Sequence, residues 1–165
     1  LKEESKEILI QGAKAWQIDL TERQIEQFSI YADFLREYNE KVNLTALTKE
    51  KDIVIKHFLD SISLLQLIEL KPGLKMIDIG TGAGFPGVPL LILNPQLKMT
   101  LLDSLNKRLI FLGELLQKLN LQAELVHSRG EDAAQKPQHR EHFDWALARA
   151  VAPLPQLLEF TLPFV

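Results

Sequence analysis

A short apolar run, Lys75-Met76-Ile77-Asp78-Ile79, leads directly into Gly80-Thr81-Gly82-Ala83-Gly84-Phe85-Pro86-Gly87. Glycine at three alternate positions opens backbone conformations closed to other residues and lets N–H groups approach a ligand with no Cβ in the way. Another apolar stretch, residues 87–93, follows at once, and Pro86 suits a first helical turn. Strand, glycine loop and helix are therefore predicted in that order, with the positive end of the helix at the loop. The same rhythm continues downstream. Strand-like runs at 99–103, 125–128 and 144–148 alternate with helical stretches at 106–120, 131–134 and 154–161. Such alternation predicts an α/β fold, a doubly wound, Rossmann-like parallel sheet of four strands covered on both faces. Ligands of such sheets bind beyond the carboxyl ends of the strands, so the loops after each strand are where site residues belong.

The chain divides near Lys71-Pro72-Gly73. Residues 1–71 hold one Gly and no Pro, with 10 basic against 13 acidic side chains, whereas residues 72–165 hold all 8 Pro of the sequence. The first part is predicted to be a helical cap and the second a ligand-binding core. A helix is expected over 2–16. A second starts at Thr21, whose hydroxyl and Gln24 make a capping box, and Ile25, Phe28, Ala32 and Leu35 form its apolar stripe. A third is expected over 52–68, with Ile55, Phe58 or Leu59, Ile62 and Leu65 facing inward. The polar segment from Asn39 to Thr45 breaks the helix between them.

Two ligand registers fit the glycine loop. From Gly82, the run to Gly87 matches the dinucleotide pattern G-x-G-x-x-G. From Asp78, it reads D-x-G-x-G-x-G, the pattern of S-adenosylmethionine (AdoMet) loops, in which Asp78 either accepts from the ligand's amino group or structures the loop. The second register uses more of the residues, including Gly80 and Gly82. Asp103 ends the second strand, where an acidic side chain meets adenosine ribose hydroxyls in either case; its alternative is a solvated or helix-capping Asp, with Ser104 and Asn106 also available as caps. After the third strand, Gly130 permits close backbone approach, and Glu131 or Asp132 offers a carboxylate to an adenine amino group or simply opens a helix. After the fourth, Arg149 is placed for ligand or phosphate contact, against the alternative of a surface salt bridge.

Four segments together resemble the glucose-inhibited division protein B family, bacterial guanine-N7 methyltransferases of 16S ribosomal RNA. They are residues 78–89 (DIGTGAGFPGVP), 101–112 (LLDSLNKRLIFL), 128–132 (SRGED) and 144–154 (DWALARAVAPL). Tyr38-Asn39, Asn43-Leu44-Thr45 and His57-Phe58-Leu59-Asp60-Ser61 match as well, so the resemblance runs from about Tyr31 to the end. It implies a class I AdoMet-dependent methyltransferase with AdoMet as cofactor, contacted by Gly80, Phe85, Gly130, Glu131 and Arg149, with Asp103 as the ribose residue. It implies small-subunit ribosomal RNA or the assembling small subunit as partner, a cytoplasmic location, and a monomer with no membrane. His57, Asp60 and Asn43 match motif positions to which no role attaches, and a lone His on an apolar helix is ordinarily structural. The family pattern continues beyond Val165 with further strands, a lysine-glycine segment and an antiparallel hairpin, and their absence is expected to leave the fourth strand as a sheet edge.

The remaining counts narrow the chemistry. With no cysteine, disulfides, thiolate metal sites and thiolate nucleophiles are excluded, including the covalent route to C5-methylated pyrimidines. No Asn-Pro-Pro-Tyr segment follows the fourth strand, which argues against methylation of an adenine amino group. Guanine N7 carries an unprotonated lone pair and needs no general base, and no catalytic side chain or metal ligand set is predicted. The net charge of -3 predicts no global basic field, yet Lys107, Arg108, Arg129 and Arg149 fall on or near the ligand-facing loops. An NAD-dependent oxidoreductase using the shifted register and a non-catalytic AdoMet-fold module that binds RNA are the alternatives.

Overall fold

A computed structural model describes residues 1–149 and 151–165; Ala150, within the fourth matching segment, lies outside the described residues. Four parallel strands, β1 (Lys75–Ile79), β2 (Lys98–Asp103), β3 (Glu124–His127) and β4 (Trp145–Leu147), form one sheet in the order β3-β2-β1-β4. β1 is central, pairing Ile77 with Thr100 of β2 on one side and with Ala146 of β4 on the other. The order reverses between β1 and β4. That reversal opens a crevice at their carboxyl ends, which places the glycine loop and Arg149 at the topological switch point. β4 is an outer strand, as expected, and Trp145 remains 41% exposed on it.

Side chains of β1 alternate between the two faces. Met76 joins a large core with α5 (Gly87–Leu93) and α6 (Asn106–Leu119), while Ile77 and Ile79 join a smaller one with α7 (Gly130–Ala134) and Phe164. The helical part of the chain, α1 (Glu3–Ala15) and α2 (Glu22–Asn39), lies over the α5–α6 side and shares its core: Leu9, Phe28, Tyr31 and Leu35 are fully buried there with Leu90 and Phe111. Thr21 caps α2 through the expected reciprocal pair, Gln24 N–H to Thr21 Oγ1 at 3.3 Å and Thr21 N–H to Gln24 Oε1 at 2.9 Å. Beyond the sheet, α8 (Leu154–Thr161) carries no buried residue, and Leu154 and Leu158 are exposed.

The third helical stretch departs from the sequence reading. It runs through residues 50–66 but is not one α-helix: α3 (Glu50–Ile53) passes into a π-helical turn (Val54–Leu59), then α4 (Asp60–Ile62) and a 3-10 turn (Ser63–Gln66). Each residue of a regular helix advances about 100°, so the wider π turn shifts the buried face by roughly one residue. Ile53 and Val54 are buried, whereas Ile55, expected to face inward, is 42% exposed. The same shift points His57 toward the sheet's carboxyl edge, where its ring stacks on Phe85.

Close packing of α5 on the sheet rests on Gly87. A Cβ there would lie 2.5 Å from Leu101 Cδ2 and 2.9 Å from Asp78 Oδ2. Leu101 can shift, but Asp78 is pinned by its hydrogen bonds. Gly87→Ala is expected to lower stability by about 1–3 kcal/mol through overpacking, read as a lower urea midpoint with unchanged slope.

Candidate cofactor-binding site

The loop after β1 is shaped from beneath by Asp78. Its Oδ2 accepts the Thr81 hydroxyl at 2.7 Å and the Gly87 N–H at 2.9 Å, tying strand end, loop and helix start to one buried atom. Asp78 thus structures the loop, and its Oδ1 is buried with no hydrogen-bond partner among the described residues. Burial pushes the carboxyl up to about 6; the bonds from Thr81 and Gly87 and the charge of Arg149 pull the other way, and Asp103 adds to the rise. Gly80, Gly82 and Gly84 take φ of 67°, 62° and 100°, the left-handed region that favours glycine. Gly84 also lets the helical layer come close, because the Tyr31 hydroxyl would lie 2.7 Å from a Cβ there. That hydroxyl donates to the Ala83 carbonyl, and the Tyr31 ring stacks on Phe85 at 5.1 Å between centroids.

Beyond the carboxyl ends of β1, β2 and β3 lies a cleft of about 280 Å³ lined by Ile79, Gly80, Leu102, Gly130, Glu131 and Phe160 among others. Gly80, Gly130 and Glu131 are thereby brought together from two loops. Val151 and Phe160, from the segment after β4, stand over this cleft: Val151 Cγ2 would be 2.9 Å from a Cβ on Gly80, and Phe160 Cβ 4.0 Å from one on Gly130. Arg129 lines the same cleft and is exposed.

Asp103 is 1% exposed and turned inward. Its Oδ2 accepts from Gly82 N–H at 2.9 Å, its Oδ1 from Leu105 N–H at 2.9 Å, and Arg108 closes on Oδ2 at 3.2 Å. It therefore joins the two adjacent loops and opens α6, work expected alternatively of Ser104 or Asn106, neither of which caps that helix by its side chain. A ribose would reach the Asp103 carboxylate only by displacing one of these donors. Gly82 likewise spends its N–H on Asp103.

Arg149 and Phe85 belong to a second cluster, beside the cleft and not in its lining. Arg149 Nη1 donates to Asp60 Oδ2 at 2.9 Å and to the Lys56 carbonyl at 3.1 Å, and Nη2 meets His57 Nδ1 at 3.0 Å. The guanidinium carbon lies 5.1 Å from the Phe85 ring centroid, a cation–π distance, and His57 stacks on the same ring at 4.4 Å. Burial and the charge of Arg149 lower His57 to about 4, so the imidazole is neutral near neutral pH. Asn43 is exposed; its neighbour Asn39 shapes the loop instead, accepting from Leu44 and Thr45 N–H at 2.7 and 3.0 Å. Of the basic residues expected near the ligand loops, Arg108 and Arg149 are engaged by Asp103 and Asp60, while Lys107 is exposed.

The contacts of Tyr31, Thr45 and Arg108 are not written in the linear sequence, although Arg108 falls among the basic residues near the loops and Thr45 within a matching segment. For Tyr31 a signal exists: it lies three residues after Phe28 on the buried stripe, and a buried phenol needs a hydrogen-bond partner. Among the described residues no cluster of three metal-ligating side chains occurs, and no helix is long and apolar enough to cross a membrane.

A family model described as rRNA small subunit methyltransferase G matches residues 24–165. The chain belongs to that family. Ribosomal RNA small subunit methyltransferase G of Thermoanaerobacter pseudethanolicus is 52% identical over 166 residues, a match spanning 100% of this chain and 69% of that protein. Its namesake from Alkaliphilus oremlandii is 53% identical over 163 residues, or 98% of this chain and 68% of the relative. Among solved structures, coclaurine N-methyltransferase bound to N-methylheliamine and S-adenosylhomocysteine aligns with a TM-score of 0.50 at 13% identity, covering 87% of this chain and 50% of that one. YJHP from Escherichia coli aligns with a TM-score of 0.53 at 16% identity over 82% of this chain and 51% of the other. At these identities the two structures establish the shared Rossmann-like architecture.

The buried Asp78 carboxyl makes a prediction of its own. Its pKa is raised on folding, so the folded state holds its proton more tightly than the unfolded chain, and stability from this source is present below about 4 and lost as pH rises through about 6. Asp78→Asn cannot ionise. The stability of the wild type relative to this variant is expected to fall by on the order of 2 kcal/mol between these limits, measured as urea midpoints across the pH range.

Proposed function

We propose that this chain transfers a methyl group from AdoMet to N7 of a guanine in small-subunit ribosomal RNA. The observation that carries the reading is the cleft beyond β1, β2 and β3, where two residues without a Cβ, Gly80 and Gly130, line one cavity with Glu131. Positive φ at Gly80 and Gly82 fits a loop that turns its backbone toward an adenosine ligand. Gly80, Gly82 and Phe85 from the first loop, Gly130 and Glu131 from the third, and Arg149 from the fourth would hold the cofactor. Asp78 shapes the first loop, and Asp103 would meet the ribose where it gives up Arg108 or a backbone donor. Membership of the rRNA small subunit methyltransferase G family supports both the cofactor and the class of acceptor.

Bound there, AdoMet supplies a sulfonium methyl that is already activated. The chain's own residues then have to orient the acceptor and exclude water. Guanine N7 presents its lone pair without losing a proton, so no side chain has to act as general base. His57 is unsuited to that task, being lowered to about 4 with Nδ1 turned to Arg149. The acceptor base has to be unstacked or already exposed in the RNA to reach such a cleft. Residues 1–71 serve in this reading as a cap over the α5–α6 side, and residues 72–165 as the cofactor-binding part. The enzyme is read as a monomer acting in the cytoplasm, where its RNA is transcribed and assembled.

Calorimetric titration with S-adenosylhomocysteine and transfer of tritiated methyl to defined small-subunit RNA test this reading. Gly80→Asp is expected to weaken binding at least about tenfold (~1.4 kcal/mol), because φ of 67° and Val151 at 2.9 Å leave no room for a side chain. Label on guanine N7, abolished by the variant, is the expected result. Label on a pyrimidine, binding of NADH in place of the homocysteine derivative, or undiminished transfer by Gly80→Asp overturns it. Parallel reactions with naked RNA and assembled small subunits separate the two forms of substrate.

A further inference from the structure

We propose that His57 is a positioning residue for Arg149: its neutral ring accepts the guanidinium at Nδ1 and, with Asp60 and the Lys56 carbonyl, holds Arg149 against Phe85 beside the cofactor cleft. The tautomer follows from the partners. A guanidinium can only donate, so His57 Nδ1, 3.0 Å from Arg149 Nη2, is the bare nitrogen and Nε2 carries the proton. Nε2 then donates to Thr45 Oγ1 at 2.9 Å, an oxygen that also accepts the Leu47 N–H at 3.1 Å. A chain of donors and acceptors thus runs from the loop after α2, through the imidazole, to the carboxyl end of β4.

The three acceptors of Arg149 among the described residues come from one helical stretch. Lys56 and His57 lie in its π turn and Asp60 just after it. A π turn inside a helix is a common device for presenting groups at a functional site, and here it swings His57 onto Phe85 while Ile55 turns to solvent. The charged groups facing the imidazole are Arg149, just beyond β4, and Asp60 from its own stretch; Thr45 and Phe85, from the other elements against it, are neutral. Lys56 Nζ is turned away to Asp52 at 2.9 Å. A positive imidazole would repel the guanidinium it now accepts, and burial and Arg149 both keep it neutral. Arg149 retains further N–H donors for a ligand once these bonds are made. That Arg149 acts on the cofactor rests on the function proposed above; that His57 sets its place does not.

Two variants and one spectrum test the role. In nitrogen-15 spectra of the histidine-labelled chain at neutral pH, the His57 ring should show a bare Nδ1 and a protonated Nε2; the opposite tautomer or a charged ring overturns the proposal. H57F keeps an aromatic ring to stack on Phe85 but has no acceptor, and should weaken S-adenosylhomocysteine binding about tenfold, the loss expected for one hydrogen bond to a charged group. H57N keeps an acceptor oxygen near the Nδ1 position and should bind within about threefold of wild type (under ~0.7 kcal/mol). Binding by H57F equal to wild type where R149A binds about tenfold more weakly, or by H57N as weak as H57F, would mean that the ring only packs. R149A binding as wild type does would defeat the cofactor contact of Arg149 and leave the tautomer to decide its placement. Should H57F fail to fold, the tautomer and the H57N affinity still decide. Wild type that binds no S-adenosylhomocysteine but shows the stated tautomer defeats the proposed cofactor and leaves the placement of Arg149 by His57 standing.

Discussion

One buried oxygen organises the ligand-facing side of this sheet. Asp78 Oδ2 accepts from Thr81 in the loop and from Gly87 at the start of α5, so the central strand, the glycine turn and the helix meet at a single acceptor. Burying a carboxylate is costly unless it is hydrogen-bonded, and these two donors are what make the position tenable. The three glycines then pass over the carboxylate in left-handed conformations, and Gly87 lets α5 settle on Leu101. A bulkier residue at either end of this arrangement would push the helix off the sheet or close the loop.

A layer of rings joins the helical part to that loop. Tyr31 and His57 both stack on Phe85, and Phe28 and Phe58 pack behind them. The Tyr31 hydroxyl reaches the Ala83 carbonyl, so the second helix reads the backbone of the glycine turn directly. Arg149 approaches Phe85 from the loop after β4. The segment with no glycine after Gly12 and the segment rich in glycine are thus coupled through aromatic contacts and a few polar bonds.

Much of the ligand side was legible along the chain because local signals there coincide with tertiary demands. β1 and α5 begin and end where the apolar runs and Gly87 place them, and the Thr21–Gln24 box opens α2 as its spacing implies. The third helix was misread at Ile55 because hydrophobic spacing assumes a constant turn, and a π turn changes the phase without changing the residues. For Asp103 and Arg149 the chain offers two readings each, a ligand contact against a helix cap or a salt bridge. It does not name their partners, which lie far along it: Gly82 for Asp103, and Lys56, His57 and Asp60 for Arg149.

The sequence by itself determined the parallel four-stranded sheet, the glycine turn at its centre and the family to which both belong. Periodicity and backbone freedom are local properties, written in neighbouring residues. Only the tertiary structure decided which polar groups answer one another. Hydrogen-bonding partners are chosen by proximity in space, and His57, matched to a motif but without a role in the chain's linear order, acquired one when the π turn carried it to Arg149.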